Sequence, residues 1–328
     1  MLTSTRKFIF GTLTLLAIII ISLLINNSRA HTVWSSAAVT SLTWSPDGRT
    51  LAIGSADGII ILWDIPQNKM RQSIDAKSSI ISLAWSPDSS VIASGIWSET
   101  DQNAVTLWDS NSGVELRTIG VPTPRLRALS WEPGGVRLSA GLQESAVLLW
   151  DIVNDNVQEI TGLSDEVLTV AWSPDSRLLA VSQQDGFVAF LDPFNYETVQ
   201  RVEFSPSYYI ADIGWSPDSQ TLASAPCFTE ADLTANCFIA LWKQPDDEYA
   251  QAFQGGRYEF SSIAWSPTGK FIASGFSNGD VTLYNPDNGS RIRTFRTPVG
   301  STIVTWAPDG RTLAAGSEDG SVLLWTIH

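Results

Sequence analysis

Seven times along this chain a tryptophan is followed, two residues later, by a proline. Trp44, Trp85, Trp131, Trp172, Trp215, Trp265 and Trp306 precede Pro46, Pro87, Pro133, Pro174, Pro217, Pro267 and Pro308. Successive tryptophans stand 41, 46, 41, 43, 50 and 41 residues apart, which matches the roughly 40 to 45 residues of one four-stranded blade in a circular array. The repeating unit is therefore expected to be a small antiparallel sheet.

The local chemistry of the repeat supports that expectation. Two residues before each tryptophan stands a large aliphatic (Leu42, Leu83, Leu129, Val170, Ile213, Ile263, Val304), and between them a small residue (Thr43, Ala84, Ser130, Ala171, Gly214, Ala264, Thr305). This is the period-two alternation of a strand, and a strand with one small-residue side suits the crowded axis of a ring of sheets. Proline then presets the φ of a type I turn, so Ser-Pro-Asp-Gly and its variants close a first hairpin. A second strand carries an aliphatic seven residues past each tryptophan, from Leu51 and Ile92 through Leu313. Asp57-Gly58, Asp185-Gly186, Asn278-Gly279 and Asp319-Gly320 supply the next turns, because both residues of such pairs accept positive φ.

The third strand ends in Trp63-Asp64, Trp108-Asp109 and Trp150-Asp151, and in the weaker forms Leu191-Asp192, Trp242-Lys243, Tyr284-Asn285 and Trp325-Thr326. With these endings residues 31–328 resemble the WD40-repeat family. The resemblance implies an all-β, seven-bladed propeller of the WD40 type that serves as a binding platform, since propellers of this kind share a fold rather than a partner. One departure is plain: WD40 repeats usually carry Gly-His before the first strand, and the only histidines here are His31 and His328. The family's buried His-to-Asp network is thus not expected, and Asp57, Asp185 and Asp319 read as turn residues.

The repeat leaves residues 1–30 unassigned. Arg6 and Lys7 precede the uncharged run Phe8 to Ile25, long enough as a helix to cross most of a bilayer core. Two readings stay open: a retained N-terminal membrane anchor, or a signal peptide cleaved near Ala30 after the small residues Ser28 and Ala30. Either reading, with positive charge ahead of the run, puts the propeller outside the cytoplasm. A net charge of −14 and a pI near 4.5 argue against nucleic acid, whose phosphates need a basic surface. They favour a protein or peptide partner, a basic one if charge decides, and a monomeric ring.

The chain stops at His328 straight after a third strand, so the last blade lacks a fourth. Elsewhere the outer strand sets an apolar residue 11 or 12 positions before the next tryptophan (Ile74, Ile119, Ile160, Phe204, Phe253, Phe295), and Val33 sits 11 before Trp44. The N-terminal strand is therefore expected to complete the C-terminal blade and abolish the open edge.

Two repeats carry extra length between the second and third strands, near Trp97 to Asn103 and Pro226 to Asn236. In a propeller both loops rise from the face that holds the inter-blade connections. They bring Trp97, Glu99, Asp101, Phe228, Glu230 and Asp232 to that face, and Tyr208 and Tyr209 join from a connection; this aromatic and acidic mixture suits a cationic or polar partner, although loops also accept such decoration without function. Arg125 and Arg127 read as a solvated turn. Cys227 and Cys237, the only cysteines, flank the longer insertion; a disulfide is expected across the hairpin base, against the alternatives of two inert thiols or half a metal site.

Catalysis has little to work with. A histidine-dependent nucleophile lacks its imidazole, no Gly-rich phosphate loop occurs, and no cofactor or metal is expected. The reading is a non-catalytic scaffold binding a protein or peptide on the insertion-bearing face. The alternative is a carbohydrate-active enzyme or lectin that uses acidic and aromatic residues of the central channel, since paired carboxylates are a property of the fold.

Overall fold

The computed structural model describes residues 31–97, 104–121, 125–204, 207–229, 235–243, 249–256 and 258–328. Its strands form seven four-stranded antiparallel sheets. Blade one is built of Val39–Trp44, Thr50–Ser55, Ile59–Asp64 and Lys69–Asp75, in order from the axis outward. The inner strands of blades two to seven are Ser79–Trp85, Leu126–Trp131, Val167–Trp172, Tyr209–Trp215, Phe260–Trp265 and Thr302–Trp306. Every described element is a strand; the N-terminal helix expected over Phe8 to Ile25 lies outside the described residues.

The seventh blade takes its outer strand from the start of the chain. His31–Trp34 pairs antiparallel with Ser321–Thr326, with Val33 opposite Val322. The same pairing recurs in every blade: Ile74 opposite Ile60, Ile119 opposite Val105, Ile160 opposite Val147, Val202 opposite Val188, Phe253 opposite Ile239 and Phe295 opposite Val281. In blade four the position belongs to Val202 and not, as spacing suggested, to Phe204. The outer strand there ends at Glu203, one residue before Phe204, which is released to pack elsewhere.

Seven apolar clusters hold the ring together, one between each pair of neighbouring blades. Blades carry large groups on both faces of their middle strands, so each sheet is covered only when flanked on both sides. The repeat tryptophans do more than fill space. The indole Nε1–H of Trp85 donates to the Thr43 carbonyl at 3.2 Å, and Trp172, Trp215 and Trp306 reach Ser130, Ala171 and Ala264 of the preceding blade at 3.2, 3.1 and 3.3 Å. Each such bond ties the inner strand of one blade to the indole of the next. Trp44 and Trp265 leave Nε1 buried without a partner, and Trp131 turns back to Gly135 of its own turn at 3.4 Å.

The turns follow the sequence chemistry. Ser45 Oγ donates to Asp47 at 2.6 Å while accepting from the Thr50 amide at 2.9 Å, a pattern repeated at Ser86, Ser173 and Ser216. In blade three Glu132 replaces the serine and its carboxylate accepts from the Arg137 amide at 3.1 Å. Gly48 sits at φ +70° to close the first of these turns, and Ser89 holds φ +63° at the matching place in blade two.

Candidate functional site

Turns between second and third strands share one face of the ring with the connections between blades. Blade one shows the contact: the Ala56 amide donates to the Ala38 carbonyl at 3.0 Å, and Ser36 of the connection donates its hydroxyl to Asp57 of the turn. Asp57 also accepts from Ser55 at 2.6 Å. Burial pushes its carboxyl up, but the hydrogen bonds from Ser36 and Ser55 outweigh this and hold it below the usual range. The aspartates of these turns therefore cap backbone and hydroxyl donors, with no histidine involved.

This face is acidic. Its described loops and adjoining strand ends hold Asp57, Asp75, Glu144, Asp165, Glu166, Asp185, Glu203, Glu259, Asp280, Glu318 and Asp319 against Lys77, Arg125, Arg127 and Arg296, the last paired with Asp280. Lys77 is paired with Asp75 and Arg127 with Glu166, which leaves the excess negative. Arg127 is thus a partly covered ion pair at the mouth of the channel, not a solvated turn residue. Arg125 is not free either: its guanidinium lies 5.6 Å from the ring of Trp97.

The aromatic residues expected on this face separate into groups. Tyr208 lies 5.8 Å from Phe228 and 5.6 Å from Phe238, centroid to centroid. Phe204 extends the group, 5.7 Å from Phe238 and 5.0 Å from Trp242. Tilted and edge-on contacts of this kind are favourable pairings for rings and hold them in fixed orientations. The four outer members are half-buried, so part of each ring faces solvent. Tyr209 points the other way and packs against the core between blades five and six. Trp97 stands on blade two and does not join the cluster on blades four and five. Glu99, Asp101, Glu230 and Asp232 lie outside the described residues.

Phe204 and Phe238 were missed as surface residues. The signal was present in the odd placement of Phe204, two positions beyond the valine that fills the outer-strand site. Cys227 and Cys237 are paired directly across the second and third strands of blade five, with α-carbons 4.2 Å apart, and are bonded. Both are fully buried. The bond joins the two strands beneath Phe228 and Phe238, so it clamps the base of the aromatic cluster.

The channel wall has its own polar belt. Ser41 Oγ accepts from the Leu83 amide at 2.9 Å, Ser82 Oγ from the Leu129 amide at 3.0 Å, and in blade five Asp212 accepts from the Ile263 amide at 2.8 Å. Asp212 also accepts from the Ile213 amide at 2.9 Å. Burial pushes its carboxyl up to about 6, against the pull of those amides and of the Ser262 and Thr169 hydroxyls. It is the sole carboxylate among the seven inner strands, whereas two-carboxylate glycoside chemistry needs a facing pair.

Comparison with known proteins adds a family. The description "Anaphase-promoting complex subunit 4 WD40 domain" matches residues 13–88 and 242–304, and "WD domain, G-beta repeat" matches residues 68–109, 154–192 and 289–326. Among similar proteins, Cell division cycle 20.1, cofactor of APC complex, of Arabidopsis thaliana is 27% identical over 260 residues, covering 75% of this chain and 53% of the relative. Protein FIZZY-RELATED 3 of the same plant is 24% identical across 63% of this chain and 44% of its own length. WD repeat-containing protein srw1 of Schizosaccharomyces pombe is 26% identical across 63% and 38%. The match thus spans about half the length of these relatives or less.

These findings overturn the expectation of a propeller outside the cytoplasm, anchored or secreted. The relatives are named as cell-division-cycle cofactors of the APC complex. Among the described residues, which do not include Phe8 to Ile25, no helix is long and apolar enough to cross a membrane. Length and flanking charge of an apolar run report its hydrophobicity and not its destination. The sevenfold repeat, the seven four-stranded sheets and the matched repeats agree on the rest: the chain belongs to the WD40-repeat family of seven-bladed β-propellers.

Proposed function

We propose that the propeller is a non-catalytic scaffold that captures a protein segment on the face formed by the inter-blade connections and the second-to-third-strand turns. The observation that carries this reading is the half-exposed cluster of Phe204, Tyr208, Phe228 and Phe238, set on a rim whose charge is predominantly negative. Rings whose orientation is fixed before binding lose little entropy on contact and serve as anchors. The acidic rim selects a basic segment and speeds its approach. Relatives named as cofactors of a complex fit a part whose work is to hold proteins together.

The test is a pull-down with the full chain and with a Tyr208→Ala/Phe228→Ala variant. Proteins recovered on the wild type should be missing from the variant and should elute with added salt. Equal recovery on both would refute the assignment to this face. The channel reading, an enzyme or lectin acting through acidic residues, has only Asp212 on the inner strands to draw on, and that carboxylate is already committed to two backbone amides.

A further inference from the structure

The opposite face, formed by the first-to-second and third-to-fourth-strand turns, carries a second apolar surface between blades two and four. It begins where the tryptophan rule fails. Trp131 does not bond the preceding blade, and its turn reads Glu132-Pro133-Gly134-Gly135, with glycine where the other six turns carry Asp or Thr. The wedge between blades two and three is consequently left open as a cleft of about 370 Å³, walled by Pro87, Val91, Trp131 and Ile152.

The apolar surface continues outward from the cleft. The Ile152 amide donates to the Val136 carbonyl at 2.9 Å, bringing together Val136 and Val153, which are 41% and 73% exposed. Next to them Phe194 is 69% exposed and yet held in place. Its ring lies 4.6 Å from the guanidinium of Arg137, which donates to the Pro193 carbonyl at 2.5 Å and is itself locked to Glu132 at 2.8 Å. Scattered exposed valines need no explanation, but a cleft running into a fixed, water-facing aromatic residue is the arrangement of an interface anchor.

Charge indicates what covers it. Asp88, Asp109 and Asp151 border the surface, while the guanidinium groups at hand already have partners, Arg137 on Glu132 and Arg117 on Asp155 at 2.8 Å and Arg71 on the Ser110 carbonyl at 2.7 Å. We propose that this track docks an extended segment of a partner protein in which large apolar side chains alternate with lysine or arginine, one apolar side chain entering the cleft and a second lying on Phe194. This site is separate from the aromatic cluster on the other face, and either can fail without the other.

A phage-displayed library of random dodecapeptides selected on the full chain tests the proposal. Recovered peptides should place aromatic or branched residues beside Lys or Arg. They should bind about tenfold more weakly to the Phe194→Ala and Val153→Ser variants, as truncation of an interface anchor does, and unchanged to Tyr208→Ala/Phe228→Ala. Both substituted positions are on the surface, so the ring stays folded. Peptides without that pattern, peptides indifferent to Phe194→Ala, or peptides lost instead on Tyr208→Ala/Phe228→Ala would overturn it.

Discussion

Replacing Asp212 by asparagine should remove a pH dependence that runs against the usual direction for a carboxylate. The carboxyl titrates near 6 in the folded chain and near 3.9 once unfolded. Its folded pKa is raised, so the folded state holds the proton more tightly between those values. Stability from this group is therefore greatest below about pH 4, falls as pH rises through the window, and is flat above about pH 6. Two units of difference correspond to about 3 kcal/mol in all, of which about 2 kcal/mol falls between pH 4.5 and pH 7 by the same linkage. The aspartates held low, among them Asp47, Asp57, Asp88 and Asp218, act in the opposite sense but only below about pH 4, their ordinary unfolded value. Urea unfolding followed by tryptophan fluorescence at pH 4.5 and pH 7 isolates the effect. Relative to Asp212→Asn, the wild type should gain about 2 kcal/mol at the lower pH. Parallel pH profiles for the two proteins would refute the account of a carboxylate ionised at a cost inside the channel wall.

Three other outcomes follow from the packing. Trp85→Phe removes an inter-blade hydrogen bond to the Thr43 carbonyl, whereas Trp265→Phe removes an indole whose Nε1 has no partner among the described residues; with similar loss of ring volume, the first should cost about 1 kcal/mol more in urea unfolding, and equal costs would deny the indole bonds a role. Val33, 2% exposed and opposite Val322, ties the ends of the ring together, and Val33→Ala should lower stability by roughly 2 kcal/mol; no change would mean that the closing strand contributes nothing. Cys227→Ala/Cys237→Ala opens a bond that spans 10 positions of sequence, which in the chain-entropy view contributes about 3 kcal/mol; intact-mass analysis should show the bond in the native protein and resistance to reductant until it unfolds.

The ring itself was legible because its determinants are local and repeated. A tryptophan, a turn proline and an aliphatic at fixed spacing each specify a strand or hairpin on their own, and seven copies leave one consistent arrangement. Even the shared blade could be read, because Val33 falls at the outer-strand spacing found in the other blades. What could not be read depends on how neighbouring blades meet. Trp44 and Trp265 look like their siblings in sequence, and only the wedge between sheets shows that their indole Nε1 groups find no partner among the described residues. Asp212 occupies the place held by Ser41 and Ser82, and its raised pKa arises from burial contributed by other blades. The residues of the proposed sites were partly legible for the same reason: Tyr208 and Phe228 stand out as aromatic residues beside the insertion, but their contact through Phe238, and the pinning of Phe194 by Arg137, join positions far apart in the chain.

The shared blade also sets a schedule for biosynthesis. The strand His31–Trp34 finds its partner only when Ser321–Thr326 has left the ribosome, so at ordinary elongation rates it waits roughly 15 to 60 seconds with its backbone unmatched. During that interval the nascent ring is an open arc with a bare edge at each end, and both edges can pair with another chain. Chaperone demand should peak just before Ser321–Thr326 emerges, and a ribosome stalled ahead of that strand should release a sticky product with an open ring.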